Sequence, residues 1–393
     1  MTWSIVISDG EHRAALASVR SLGRAGHQVH VCSPRRRSLA GASRYCASET
    51  QVADPLREPD RFADDLQRLC AAVGADVLIP ISEPSLLAVL PHRGRFSCTI
   101  PFPDLDQFTA ICDKELVLRS AEAAKIAVPK QRVITTIDEA GTAAGMSFPV
   151  VLKPARSVAG SASNRMKVGV LYALDDAQLQ ETLHELPPAA YPILLQERIT
   201  GPGFAISLLV WDGEVRAAFA HRRLREKPPS GGVSVLRDSI PLDLDLLKRS
   251  VALVDAFDWR GVAMVEFKLD ERTNVPYLME INARLWGSLQ LAIDAGVDFP
   301  LLLVEAAMGV RSEPVLAYDV GVRTRWELGD VDHLIAIMRH SPAALKLPAN
   351  HPGRLATLGG FLRSFVSADR HEVLRPGDPR PFLREIRDWL ARR

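Results

Sequence analysis

The chain is poor in cysteine, and its five cysteines (Cys32, Cys46, Cys70, Cys98 and Cys112) include no C-x-x-C pair. An odd number cannot pair completely within one chain, so a disulfide scaffold is excluded and buried free thiols in a reducing compartment are expected. Excess charge is also lacking: 48 basic and 47 acidic residues leave a formal charge of +1. This excludes an unpatterned nucleic-acid coat and an acidic tail, while leaving room for a local basic site. No apolar run approaches the ~18–20 residues that span a bilayer. Met1 to Asp9 has no basic leader and reads as a strand. The expectation is a cytoplasmic protein with neither a nucleic-acid nor a membrane partner. Internal repeats and low-complexity tracts are missing as well. What is present is an ordinary globular composition, 47% hydrophobic and 24% charged. Its length suits roughly two to four domains, each able to bury a sizeable core.

Ser4 to Ser8 is a short apolar run, followed by a helical stretch from about Glu11 to Arg24, a turn at Gly26 and a second strand, Gln28 to Cys32. A helical pattern from about Pro59 to Val73 leads to another buried strand, Asp76 to Ile81. Strands alternating with helices predict a parallel sheet, so residues 1–105 read as an open α/β domain. One further lack narrows its chemistry. Dinucleotide binding needs G-x-G-x-x-G after the first strand, and Ser8-Asp9-Gly10-Glu11-His12-Arg13 offers a single glycine.

Beyond residue 105 the pattern changes. Asp113 caps a helix running to about Lys125, and Phe148 to Pro154 is a strand ending in Lys153. A stretch of small residues, Ala155 to Asn164, precedes a strand over Lys167 to Tyr172. Asp212-Gly213 joins Phe204–Trp211 to Glu214–His221 in the strongest hairpin signal of the chain. A second hairpin pairs Val262–Leu269 with Pro276–Ala283, and an apolar helical region extends to Gly309. Residues 311–393 form a C-terminal extension, either a cap on the cleft or a dimer element, closing with an amphipathic helix from about Pro381.

The second hairpin carries the chemistry. Alternation puts Met264, Glu266 and Lys268 on one face, with Leu278, Glu280, Asn282 and Arg284 on the matching face of the returning strand. Met279, Ile281 and Ala283 then belong to the other face. With the turn centred on Thr273, Glu266 lies directly across from Glu280. Facing carboxylates destabilise a sheet unless a hard divalent cation sits between them. Either acid alone reads as an ordinary solvated charge; the set reads as a metal site.

Lysine at the end of an otherwise apolar strand ordinarily snorkels from an edge, but Lys153 also suits a cation that meets a phosphate, with Ser157 to Ser163 as a backbone flap. Lys114 opposes the dipole in the first turn of its helix, which an anionic ligand would offset. His221, Arg222, Arg223 and Arg225 precede Pro228 to Gly232, with Arg237 beyond. Such a run reads equally as a solvated loop or as a mobile lid bringing cations over phosphates.

These residues, in this order, resemble the ATP-grasp superfamily. The carrying segments are Phe148–Pro154, Leu195–Gly201, Gly261–Phe267 and Leu278–Arg284, the last containing the family pattern Glu-Ile-Asn-x-Arg. The continuation Leu285-Trp286-Gly287-Ser288-Leu289 is similar to amino-acid and peptide ligases related to the carbamoyl-phosphate synthase large chain. The resemblance spans about residues 1–310. It implies a pre-ATP-grasp α/β domain (1–105) followed by a two-subdomain α+β ATP-grasp fold, with an N-terminal lid at 106–190 and a C-terminal part carrying the metal hairpin at 191–310.

By motif match, Lys114 and Lys153 contact ATP phosphates, and Gln196, Glu197 and Ile199 form the adenine hinge. Glu266, Glu280 and Asn282 hold Mg²⁺ (or Mn²⁺), and Arg284 meets the transferred phosphoryl group. One position departs from the pattern: Gly203 stands where many relatives carry a glutamate that binds the ribose hydroxyls.

The implied reaction is ATP-dependent joining of a carboxylate to an amine through an acyl phosphate, on an amino acid or small peptide. Such chemistry needs positioned cations more than covalent help. Arg222, Arg223, Arg225 and Arg237 are candidates for gripping the substrate or sealing the intermediate, and Glu83 for binding a substrate amine. Glu83 reads equally as a helix-start acid favoured by the dipole. A carboxylase using bicarbonate and a catalytically silent nucleotide-binding subunit are the alternatives. The base rate for oligomers favours a homodimer.

Overall fold

Four short strands, three of them rich in β-branched and aliphatic residues, build the first sheet, with amphipathic helices after the first and third. They are β1 (Ser4–Ile7), β2 (Gln28–Ser33), β3 (Ser48–Gln51) and β4 (Val77–Ile79). All pair in parallel in the order β3-β2-β1-β4. The helices are α1 (Arg13–Arg24), α2 (Pro59–Val73) and α3 (Glu83–Val89). Gly74 ends α2 in the left-handed conformation that glycine adopts without a Cβ clash. The computed structural model describes residues 1–137, 139, 145–155, 158–159, 166–167, 169–347, 351–365, 367 and 369–392.

Two helices, α4 (Leu105–Cys112) and α5 (Lys114–Ala123), lead into the second sheet. The Asp113 side chain accepts from the Glu115 and Leu116 amides at the start of α5, the cap expected from the sequence. The second sheet is antiparallel in the order β5-β10-β6-β9, from β5 (Gln131–Ile134), β6 (Val150–Pro154), β9 (Leu171–Ala173) and β10 (Ile193–Glu197). A two-stranded ribbon, β7 (Val158–Ala159) with β8 (Met166–Lys167), lies between β6 and β9 in sequence. The strand expected over Lys167–Tyr172 is therefore two elements in different sheets. The expected phosphate flap, Ser157 to Ser163, falls largely outside the described residues. Helix α6 (Asp176–Glu185) packs Leu179 and Leu183 into a small core with Ile134, Val150, Leu152 and Ile193. Because β10 lies past residue 190, this sheet extends beyond the expected boundary.

The third sheet is the largest, ordered β15-β14-β11-β12-β13-β16-β17. Its strands are β11 (Gly203–Trp211), β12 (Glu214–Lys227), β13 (Val233–Ser239), β14 (Gly261–Leu269), β15 (Pro276–Asn282), β16 (Arg323–Arg325) and β17 (Arg370–His371). Asp212 (φ 53°) and Gly213 (φ 75°) make the tight turn between β11 and β12. Gly201 is needed for a close approach, since a Cβ there would lie 1.8 Å from the Leu269 carbonyl oxygen. Helices α7 (Leu244–Asp255), α8 (Leu289–Asp294) and α9 (Phe299–Ala307) cover this sheet, and Trp286 stacks edge-on against Phe299.

Two expectations are corrected here. The basic run Arg222 to Arg225 is no loop: β12 continues through it because β13 supplies a hydrogen-bonding partner. Residues 311–393 are no appendage either, because β16 and β17 complete the third sheet and α10 (Glu327–Arg339), α11 (Arg354–Arg363) and α12 (Arg380–Leu390) follow from it. Arg20 of α1 donates to the Asp378 carboxylate at 2.8 Å and to the Glu372 and Val373 carbonyls, joining the first sheet to this region. Among the described residues no helix is long and apolar enough to cross a membrane.

Candidate active site

Between the second and third sheets lies a cavity of about 350 Å³. Its wall on the third sheet is the β14–β15 hairpin, and Glu266 pairs directly with Glu280 as the alternation predicts, with Met264 opposite Asn282. Toward the turn the register shifts, and Phe267 pairs with Leu278. This bulge at Met279 corrects the predicted faces. Leu278 is fully buried in the core, whereas Met279 lines the cavity with Glu280 and Asn282. An extra residue in one strand re-aims everything on its far side.

The carboxylates are held by their neighbours. Asn282 Nδ2 donates to Glu266 Oε1 at 2.9 Å and approaches Glu280 Oε1 at 3.5 Å. Arg284 donates to Asn282 Oδ1 at 2.9 Å and to the Leu285 carbonyl. Arg223 of β12 reaches across β11 to pair with Glu266. Burial, then the charge of Glu280, pushes the Glu266 pKa up despite Arg223. Burial also opposes ionisation of Glu280, but Lys114, Lys153, Arg223 and Arg284 together hold it below the ordinary carboxylate value. Desolvation opposes the charge of Arg223, yet Glu266 and Glu226 hold its pKa above the usual guanidinium value. Two facing carboxylates, Glu266 buried and Glu280 half-buried, are hard oxygen donors, which fit a divalent cation such as Mg²⁺.

The second sheet forms the opposite wall. Lys153 of β6 faces the hairpin; burial and repulsion from Lys114 and Lys268 bring its pKa down to about 8 against the attraction of Glu280. Gln196, Glu197 and Ile199, at the end of β10 and just beyond, line the same cavity. The Glu197 carboxylate accepts from the Ser147 amide at 3.2 Å and lies 3.7 Å from Lys130. Gln196 donates through its side chain to Gln131 at 2.8 Å. A set of donors and acceptors at one end of the cavity, with cations and carboxylates at the other, fits a nucleotide polyphosphate.

A smaller cavity of about 250 Å³ adjoins the back of the hairpin. Glu83, Lys114, Glu280, Asn282 and Arg284 supply its polar side, and Phe108, Ile111, Val117 and Leu118 its apolar side. Glu83 sits in the first turn of α3, whose cap is Ser82.

The remaining predicted arginines are elsewhere. Arg222 points to the other face of β12, where it pairs with Asp238 at 2.8 Å. Arg225 pairs with Asp330 at 3.2 Å and donates to Ser364. Arg237 is completely buried against Glu372 at 2.5 Å. Bulges on either side of Arg225 break the alternation, and acidic residues from the C-terminal region take up the charges of Arg225 and Arg237. The structure adds residues that the sequence did not single out: Arg13, Tyr172, Arg198, Glu226 and Trp286 also line the larger cavity, as does Lys268. Lys268 was placed by alternation on the face of Glu266, and Arg198 and Trp286 lie within the segments Leu195–Gly201 and Leu285–Leu289 without having been given a role; Arg13, Tyr172 and Glu226 carry no motif.

Residues 189–328 match a family described as ATP-grasp in the biosynthetic pathway with Ter operon. The fold is that of ATP-grasp enzymes. An L-amino acid ligase from Bacillus licheniformis is similar, with a TM-score of 0.61 at 18% identity over 78% of this chain and 74% of that one. N5-carboxyaminoimidazole synthetase from Staphylococcus aureus complexed with ADP has a TM-score of 0.63 at 15% identity, covering 82% and 80% of the two chains. Biotin carboxylase from Campylobacter jejuni, complexed with β,γ-ATP, has a TM-score of 0.63 at 15% identity, covering 81% and 74%. Comparison with curated protein sequences returns no match.

Proposed function

We propose that this ATP-grasp chain is an ATP-dependent carboxylate–amine ligase that forms an amide or peptide bond through an acyl phosphate. The observation that carries the reading is the Glu266–Glu280–Asn282 set facing Lys153 across one cavity. Lys153 and Lys114 hold phosphate oxygens, Glu266, Glu280 and Asn282 hold Mg²⁺ (or Mn²⁺), and Gln196 to Ile199 present backbone to the adenine edge. The turned-away carboxylate of Glu197 supports a backbone role for that residue. The bound cation would supply charge neutralisation between phosphates.

In this reading the substrate carboxylate oxygen attacks the γ-phosphorus and the bond to the leaving ADP breaks. The amine nitrogen then attacks the acyl carbon, phosphate leaves with the carbon–oxygen electron pair, and the proton lost from the nitrogen ends on the released phosphate. Arg284 and Arg223 stabilise charge on the transferred group. The smaller cavity suits an amino acid or small peptide: Glu83 accepts the ammonium, Arg284 meets the carboxylate, and Phe108, Ile111, Val117 and Leu118 contact an apolar side chain. Similarity to an L-amino acid ligase supports this acceptor class, and the carboxylase neighbours support the same first step with another acceptor.

The test is incubation with ATP, Mg²⁺ and pooled amino acids, small carboxylic acids, amines and bicarbonate, reading phosphate release together with product mass. A product lighter than its two substrates by one water, lost in Glu280→Gln, establishes the ligase. A carboxylated product instead assigns the bicarbonate reading, and failure to bind nucleotide sinks both.

A further inference from the structure

Resting on the nucleotide reading of the larger cavity, we propose that Glu226 recognises the ribose, accepting hydrogen bonds from its vicinal 2′- and 3′-hydroxyls, and that the missing side chain of Gly203 makes room for it. A vicinal diol presents two donors side by side, and an ionised carboxylate is an acceptor with two oxygens. Four carboxylates line the cavity among the described residues: Glu197, Glu226, Glu266 and Glu280. Glu266 and Glu280 face one another on the hairpin. Glu197 is turned toward Ser147 and Lys130. Glu226 remains.

Its position is right for a sugar. Gly203 opens β11, four residues after Ile199 and two before Ala205, which pairs with Glu266. It therefore lies between the base end and the phosphate end of the cavity. A Cβ built on Gly203 would sit 3.6 Å from Glu226 Oε1 and 3.1 Å from Arg223 Cδ. The carboxylate that residue 203 lacks is thus supplied to the same place from the neighbouring strand. Arg223 fixes it there, donating to Glu226 Oε1 at 3.2 Å while its other arm holds Glu266. One guanidinium so ties the diol reader to the hairpin carboxylate.

The experiment is calorimetric binding of ADP, 2′-deoxy-ADP and 3′-deoxy-ADP, each with Mg²⁺, to the full chain. Wild type should bind ADP about tenfold more tightly than either deoxy nucleotide, the value of a hydrogen bond to a charged acceptor. Glu226→Ala should bind all three about equally, and Gly203→Glu in that background should restore the preference. A loss of affinity that is equal for all three nucleotides would mean that Glu226 merely supports Arg223, and would overturn the proposal. Should the alanine variant fail to fold, Glu226→Gln, which keeps the shape, must still narrow the preference. Wild type that binds ADP without discrimination refutes the ribose assignment and leaves the ligase reading standing. Wild type that binds no nucleotide removes both.

Discussion

The third sheet carries two charged hairpins with opposite outcomes. In β14–β15 the charges converge on the cavity; in β12–β13 they disperse, with Arg223 alone of the four arginines reaching it. The difference lies in the available partners. Glu266 and Glu280 face each other, and the cations that meet them, Arg223, Lys153 and Arg284, line the same cavity. Arg222, Arg225 and Arg237 meet Asp238, Asp330 and Glu372, which satisfy them locally. Charges gathered on one cavity, rather than dispersed into separate ion pairs, are the better guide to chemistry.

Substitutions that exchange these outcomes sharpen the contrast. Arg237→Met should be the most damaging to the fold, because it strips a partner from the buried Glu372; a loss of about 3–5 kcal/mol is expected in denaturant unfolding. Retained stability would show that Arg13, which also pairs with Glu372 at 2.5 Å, suffices alone. Glu280→Gln should do the reverse, leaving unfolding nearly unchanged while lowering ATP turnover about 100-fold or more, some 3 kcal/mol of barrier. If turnover survives, the hairpin is not the catalytic centre.

Glu385 extends the contrast to a carboxyl that, among the described residues, has no guanidinium bound to it. Burial pushes its pKa up to about 7, although it accepts from Trp326 Nε1 at 2.7 Å. The folded state therefore binds this proton more tightly than the unfolded chain, and stability should fall as pH rises from about 4.5 to 7. Glu385→Gln should remove that fall, raising the melting temperature at pH 8 by the equivalent of about 2–3 kcal/mol and changing little at pH 4.5. Arg222→Ala should be nearly silent, costing under about 1 kcal/mol, since its side chain is 46% exposed. A large effect of Arg222 on nucleotide binding would return it to the site.

The parallel first sheet, the Asp113 cap and the Glu266–Glu280 pairing were legible because each is written in local periodicity or turn chemistry. The bulge at Met279 was not: an inserted residue leaves the apolar–polar alternation plausible in either register, and only the packing of Leu278 in the core decides it. Arg225 and Arg237 were misplaced because their acidic partners lie about 100 residues or more downstream, beyond any motif. Glu226 stayed invisible for a related reason. Its relation to Gly203 exists across a strand pair and has no sequence spacing of its own.

The bond between Arg20 and Asp378 spans 358 positions. At roughly 5–20 residues per second of synthesis, the guanidinium is made roughly 20–70 s before its carboxylate exists. Throughout that interval the first domain holds a cation that its finished core will bury. The nascent chain therefore spends its synthesis with this face of α1 still open to water, and the two ends of the molecule mature together.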